Sequence, residues 1–314
     1  LIDEINMIKL DEKFTTNTLD FEDSKNNIDK LLSKVKDLKN SVLYLDDYKK
    51  KLDLRKKINE LLYKILRLKN KQSKQFGIKQ EQNLNIFLND KEKKNFFAWK
   101  LYFSEIFAKG GFDIVIANPP YVSYGLRDTE KLSKDDKDLI KKLYSNSAEY
   151  KISYYALFME LSLRITKQNG VNILIVPDSF LLGRYFSKIR KHILNTSEID
   201  FISLFNYKIF EADVGYSVIY QLTKNLNPNL KEFDSNLFQS ETELVKKDQL
   251  NYKINSKYYL NVGYNKFRLF FDIRTKNIIE KIEKNSLPLI KFVQGNTGIR
   301  SKIGKDKIIS KTRK

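Results

Sequence analysis

Between residues 24 and 70 the apolar positions fall at helical spacing among dense charge. Leu31, Val35, Leu38, Val42, Leu45 and Leu52 follow an alternating four-three step, which is a heptad seam. A second stripe runs through Ile58, Leu61, Leu62, Ile65 and Leu68, and neither Pro nor Gly interrupts the stretch before Gly77. Two long helices paired as a hairpin satisfy both stripes within one chain. Residues 84–108 read as a further amphipathic helix, with Phe87, Phe96, Phe97, Trp99, Phe103 and Phe107 supplying bulk.

The period changes at Gly110-Gly111. Phe112 to Ala117 is a short apolar run that reads as a buried strand, and Val171 to Val176 is a second one. Between them lie a charged loop or short helix over 126–147 and a helix over about 150–167, with Tyr155, Phe158 and Leu161 inward. A helix over about 183–194 follows, then strands near 200–205 and 216–223. Strand–helix–strand alternation of this kind predicts an α/β fold with a mostly parallel sheet covered by helices. From residue 251 the alternation fades, and between Arg300 and Lys314 seven basic residues stand against Asp306.

Composition narrows the picture. The chain has 314 residues, 41% of them hydrophobic, enough for a packed core of one large domain or two modest ones. It has no cysteine, which excludes a disulfide framework and thiolate metal sites. No apolar run approaches the roughly 18 residues that span a bilayer, so no membrane partner is expected and the expected location is cytoplasmic. The net charge of +19 favours polyanions, although Lys-rich composition alone also produces it. Asp135, Asp136 and Asp138 read as a solvated loop, Asp113 as a strand-edge residue and His192 as a surface or phosphate-side residue. Lys188, Arg190 and Lys191 suit either phosphate contact or a solvated helix face.

The chemistry concentrates at Asn118-Pro119-Pro120-Tyr121, directly after the first strand. Two adjacent prolines stiffen the backbone and remove its amide donors, so the carbonyls there face outward as acceptors. Beside them sit a side-chain amide and an aromatic ring. Two acceptors and a flat face suit a planar amine. An aromatic exocyclic amine is a poor nucleophile because its lone pair is delocalised into the ring. Accepting both hydrogens, by the Asn118 side-chain oxygen and the Pro119 carbonyl, favours a pyramidal nitrogen and stabilises the transition state with fixed dipoles. Tyr121 stacks on the ring, and a base inside a duplex must flip out to arrive there.

This stretch resembles the fourth motif of the amino-methyltransferases that act on nucleic-acid bases, in the Asn form typical of adenine enzymes. The next motif is similar to Tyr154-Tyr155-Ala156-Leu157-Phe158-Met159-Glu160, where the resemblance gives Phe158 to the adenine pocket of the cofactor. Val176-Pro177-Asp178-Ser179-Phe180 matches the strand and turn after it. Lys208 to Ile219 resembles the loop that brings a second aromatic, Phe210, to the other face of the base. Four ordered matches over about 110 residues resemble most nearly the adenine-specific methylases of type IIG restriction–modification systems.

The resemblance implies methyl transfer from S-adenosylmethionine to the exocyclic amine of a flipped adenine in double-stranded DNA. Its fold is a Rossmann-like S-adenosylmethionine-dependent methyltransferase sheet, here expected to lack its first strands and to carry a long inserted helical hairpin. Residues 1–23 are then a remnant of the cofactor-binding part, 24–108 the helical insertion, 109–250 the catalytic core and 251–314 the start of a target-recognition domain. Lys13 to Leu19 resembles the third motif, with Asn17 at the cofactor's adenine. The chain departs from the family in having no Gly-x-Gly loop. No acidic-x-Lys pair follows Pro177-Asp178 either, so no nuclease is expected within it. The isolated chain is therefore expected to be inactive, with cofactor-binding and nuclease segments elsewhere on a parent chain. Two other readings stay open: a methyltransferase for RNA or for protein glutamine, and a non-catalytic DNA-binding or coiled-coil fragment.

Overall fold

The computed structural model describes residues 19–72, 99, 103–121, 134–149, 152–210, 215–287 and 289–293. Two helices of 25 residues, α1 (Leu19–Leu43) and α2 (Tyr48–Gln72), pack as a hairpin. Ile28, Val35, Ile58, Leu62 and Ile65 are buried between them, with Leu31, Leu38, Val42, Leu61 and Leu68 half-buried alongside. The seam is shifted from the one expected. Ile28 joins it, whereas Leu52 is 42% exposed, because the turn at 44–47 re-phases the second helix. Of the helix expected over 84–108, the described part is residue 99 and α3 (Ser104–Ala108).

A six-stranded sheet forms the body of the described chain. Its strands are β1 (Phe112–Ala117), β2 (Thr166–Pro177), β3 (Ser197–Phe205), β4 (Ser217–Lys224), β5 (Glu232–Phe238) and β6 (Leu250–Asn255), in the order β1-β2-β4-β3-β5-β6. The fold class is α/β and Rossmann-like, but the sheet is mixed rather than mostly parallel. β1 runs parallel to β2 and β3 parallel to β5, whereas β4 is antiparallel to both β2 and β3, and β6 is antiparallel to β5. The cause is topological. The 206–216 connection from β3 to β4 is shorter than the dozen or so residues a parallel crossover needs, so β4 returns in the opposite sense and inserts between β2 and β3. The boundary expected at residue 250 falls inside β6, and Tyr259, Phe267 and Phe270 beyond it are buried in the same core as β2 and β4.

Helices α4 (Lys134–Leu143) and α5 (Tyr154–Ile165) lie between β1 and β2 in sequence. The short α6 (Ser179–Leu182), a 3-10 turn (Arg184–Phe186) and α7 (Ser187–Thr196) lie between β2 and β3. The helix expected from residue 183 thus starts at Ser187. Met159 and Leu163 of α5 and Ile189 and Ile193 of α7 pack on Leu174, Val176, Ile202, Tyr220 and Leu222, which buries one face of the sheet in a mainly apolar core. Such burial, at roughly 25 cal/mol per Å² of apolar surface, is the main term holding sheet and helices together. Tyr155 and Leu161 are buried as expected, but Phe158 is only half-buried.

Chain crossings at the start of β1 leave no room for side chains. A Cβ on Gly111, at φ +125°, would lie 2.5 Å from the Ile165 carbonyl oxygen. One on Gly170 would lie 2.9 Å from the carbonyl oxygens of Phe112 and Asp113. Glycine at these two points lets the end of α5 turn straight into β2 beside β1. At this edge, Asp113 pairs with Lys167 across the two strands, which holds its exposed carboxyl below the usual range. No helix among the described residues is long and apolar enough to cross a membrane.

Candidate active site

β1, β2 and β3 end at one edge of the sheet, where β4 begins. Four segments converge there: 118–121 after β1, 178–179 after β2, 206–210 after β3 and 215–217 before β4. The carboxyl ends of parallel strands are where open α/β sheets place their ligands. The prolines account for the first segment. Pro119 is buried and Pro120 exposed, so the chain leaves β1 in a fixed direction and carries Asn118, itself exposed, at the rim.

Tyr121 is half-buried against the main core. Its hydroxyl donates to the Ile175 carbonyl at 3.2 Å, which pins the ring to the neighbouring strand. Burial raises its pKa, with a hydrogen bond to Ser217 acting against that. The phenol therefore stays neutral and serves as a ring, not as a base. The Tyr155 ring stands edge-on to it, with centroids 6.4 Å apart, and packs in turn on Phe186 at 5.2 Å. Buried Tyr155 is pushed up to about 12 by desolvation and shares a 2.9 Å hydrogen bond with Ser179 Oγ.

Phe210 comes to the same place from the segment after β3. Its ring centroid lies 6.1 Å from that of Tyr121, with the planes at 71°. The two rings touch edge to face. A base held between parallel rings needs two contacts of roughly 3.5 Å each. Phe210 must therefore swing outward and turn before a base fits, and its irregular backbone leaves it free of a helix or strand.

Asn118, Pro119, Pro120, Tyr121 and Phe210 are thus neighbours at one edge. Phe158, half-buried on α5, has no ring contact with that cluster among the described residues, and Asn17 lies outside the described residues. Tyr155, Asp178, Ser179 and Ser217 also stand at this edge. They were visible in sequence only inside the matching stretches, because nothing local shows that they share this edge. Asp178 is half-buried, and desolvation raises its carboxyl while the backbone N–H groups of Ser179 and of Asp178 itself act against that. Among the described residues no group of three or more His, Asp or Glu is placed to hold a metal ion.

One expectation for the basic helix is overturned. Arg190 is fully buried, not solvated or on phosphate, and donates to the carbonyls of Phe180, Gly183, Tyr264 and Asn265. His192 is half-buried and its pKa is lowered by desolvation.

The family model described as "Eco57I restriction-modification methylase" matches residues 11–210. A curated relative, the type II methyltransferase M.HincII of Haemophilus influenzae, is 32% identical over 121 residues, 38% of this chain and 23% of that protein. The type II restriction enzyme and methyltransferase RM.Eco57I of Escherichia coli is 27% identical over 124 residues, 39% of this chain but 12% of its own length. The matched stretch is therefore less than a quarter of either relative. Among solved structures, the type IIG restriction endonuclease BpuSI aligns with a TM-score of 0.37 at 16% identity, over 60% of this chain and 25% of that one.

Proposed function

The chain belongs to the Eco57I restriction-modification methylase family, and from that premise we propose that it carries the acceptor half of an adenine-specific DNA methyltransferase. The observation that carries the reading is the rim at the end of β1, where exposed Asn118 follows a strand and precedes buried Pro119 and a pinned Tyr121. The Asn118 side-chain oxygen and the Pro119 carbonyl accept the two hydrogens of an exocyclic amine. The proline-stiffened backbone sets the Pro119 carbonyl and the Asn118 amide stands beside it at the rim, so the pair favours the pyramidal nitrogen of the transition state. Loss of one such acceptor costs on the order of 10² to 10³ in rate.

Tyr121 supplies one stacking face and Phe210 the other. The present edge-to-face contact between them closes the gap in the absence of a base. Entry of a flipped adenine exchanges that ring contact for two stacking contacts, each worth about 1–3 kcal/mol. The net charge of +19 suits a phosphate-bearing partner, for which duplex DNA is the proposed one.

S-adenosylmethionine is the family's cofactor and supplies an electrophilic methyl group. The half-buried ring of Phe158 suits its adenine end, and Asn17 is proposed beside it. No Gly-x-Gly loop occurs in the chain to hold the methionine end. The residues here fit the donor in part only, and the steps derived above concern the acceptor.

The test is a tritiated methyl-transfer assay of the full-length parent protein, offering duplex DNA, RNA and protein in parallel, followed by digestion and nucleoside analysis. Label in N6-methyladenine from duplex DNA is expected. Label confined to RNA or to protein glutamine refutes the DNA assignment while keeping an amine or amide acceptor.

A further inference from the structure

Asn118 and Pro119 do not complete the proton balance of the proposed transfer. As the N–CH3 bond forms, the amine lone pair becomes its bonding pair, and the pair of the broken S–CH3 bond stays on sulfur. The amine nitrogen is left cationic. One N–H bond must then break, with its pair returning to nitrogen, and the proton needs an acceptor. Amide and peptide carbonyl oxygens accept hydrogen bonds but do not titrate near neutral pH. Tyr121, Tyr155, Ser179 and Ser217 present neutral hydroxyls. Asp178 is the remaining candidate among the described residues at this edge.

We propose that Asp178 accepts the proton released from the amine. It is the first residue after β2, and its N–H donates to the Tyr216 carbonyl at 2.9 Å, which ties it to the segment leading into β4. The nearest atom to a Cβ built on Gly215 is the Asp178 Oδ1, 3.8 Å away, so that segment passes the carboxylate without a side chain covering it. Adjacent Ser179 binds Tyr155, and Tyr155 packs on Tyr121, which joins the carboxylate to the stacking face through two contacts. Its carboxylate is met by the backbone N–H groups of Ser179 and of Asp178 itself, which leaves acceptor capacity free. Asp178 occupies the N-cap position of α6 yet makes no side-chain cap bond there. Among the described residues no side-chain donor and no cation pairs with its carboxylate.

The groups around it are consistent with this role. From α5 it faces the Tyr155 phenol, and from the segment leading into β4 it meets the Tyr216 backbone. Arg190 of α7 is engaged by four backbone carbonyls. Glu149, which acts on Arg190, is held by Ser187 Oγ at 2.7 Å. Partial desolvation makes Asp178 more basic than a solvated aspartate. Its remaining exposure lets the proton pass on to water.

This inference rests on the reading of the chain as an amine methyltransferase, and the experiment separates the two. Single-turnover methylation of an adenine-containing duplex is followed from about pH 5 to about pH 9 for the full-length parent protein, unaltered or carrying Asp178→Asn, Asp178→Glu or Asn118→Ala. The unaltered rate is expected to fall on the acid side, with a midpoint above the ordinary carboxylate range. Asp178→Asn is expected to lose on the order of 10²-fold in rate together with that limb, while duplex affinity and melting midpoint hold. Asp178→Glu is expected to restore the limb. An Asn variant that keeps both rate and limb assigns the proton to water and overturns the inference. So does loss of melting midpoint in both Asp178 variants, which makes the residue structural. If the unaltered protein methylates no more than Asn118→Ala does, the amine-transfer reading falls and Asp178 falls with it.

Discussion

Replacing Arg190 with Met tests whether the turn beside the site is held by a buried cation. The guanidinium is 0% exposed and makes four bonds of 2.6–2.9 Å, to Phe180 and Gly183 through Nη1, to Tyr264 through Nη2 and to Asn265 through Nε. Met retains most of the volume and none of the donors. Tyr264 is 56% exposed, so its carbonyl and that of neighbouring Asn265 can turn to water. The Gly183 carbonyl keeps the Phe186 N–H at 3.2 Å, whereas the buried Phe180 carbonyl left unpaired costs about 1–3 kcal/mol. Tyr264 and Asn265 also hold left-handed backbone, at φ 61° and 48°, which Arg190 helps to maintain. Relief of burying a charge offsets part of the sum. The net expectation is a loss of about 2 kcal/mol, which at a slope near 3 kcal/mol per molar of urea lowers the denaturation midpoint by about 0.7 M. Amide exchange across Asp178–Gly183 should quicken in the same variant. Arg190→Lys should recover less than half the loss, because one ammonium cannot reproduce the planar fork. A Met variant whose midpoint moves by less than about 0.2 M refutes the reasoning.

Two further outcomes follow from the ring cluster. Tyr121→Phe removes the bond to Ile175 and should cost about 0.5–1.5 kcal/mol of stability with stacking intact, whereas Tyr121→Ala should weaken capture of a flipped base by about 1–3 kcal/mol, read by 2-aminopurine fluorescence in the duplex. Tyr155, raised to about 12, keeps its proton where an unfolded tyrosine has lost it at about 10, so folded chains bind more protons in that window. Stability should therefore fall as pH rises from 10 to about 12, by about 2–3 kcal/mol from this residue, and the fall in urea midpoint should be shallower by that amount in Tyr155→Phe.

Features written in local chemistry were legible before the structure. The hairpin follows from two apolar stripes uninterrupted by Pro or Gly, and the end of β1 follows from an apolar run meeting two prolines. Tyr121 and Phe210 were paired through the resemblance, and the structure brings their rings together. What escaped depends on contacts far along the chain. Arg190 lies among basic residues and reads as solvated, but its partners Tyr264 and Asn265 are some 75 residues away. β5 was missed because its Asp234 and Asn236 break the apolar pattern, while Phe233 and Ser235 are buried on the other face. The mixed sheet was illegible for a related reason, since a strand's direction is set by where β4 inserts rather than by its own residues. Phe158 was expected inward and is half-buried, since α5 turns Tyr155 and Met159 to the core instead.

The central claim is that a fixed pair of acceptors at the end of β1 activates an exocyclic amine. Its most direct measurement is the single-turnover methylation rate of Asn118→Ala in the full-length parent protein beside that of the unaltered parent, on a duplex whose target base reports flipping by fluorescence. The account predicts a rate lower by on the order of 10² to 10³ with duplex binding and base flipping retained. A variant that flips the base and methylates it at the unaltered rate contradicts it.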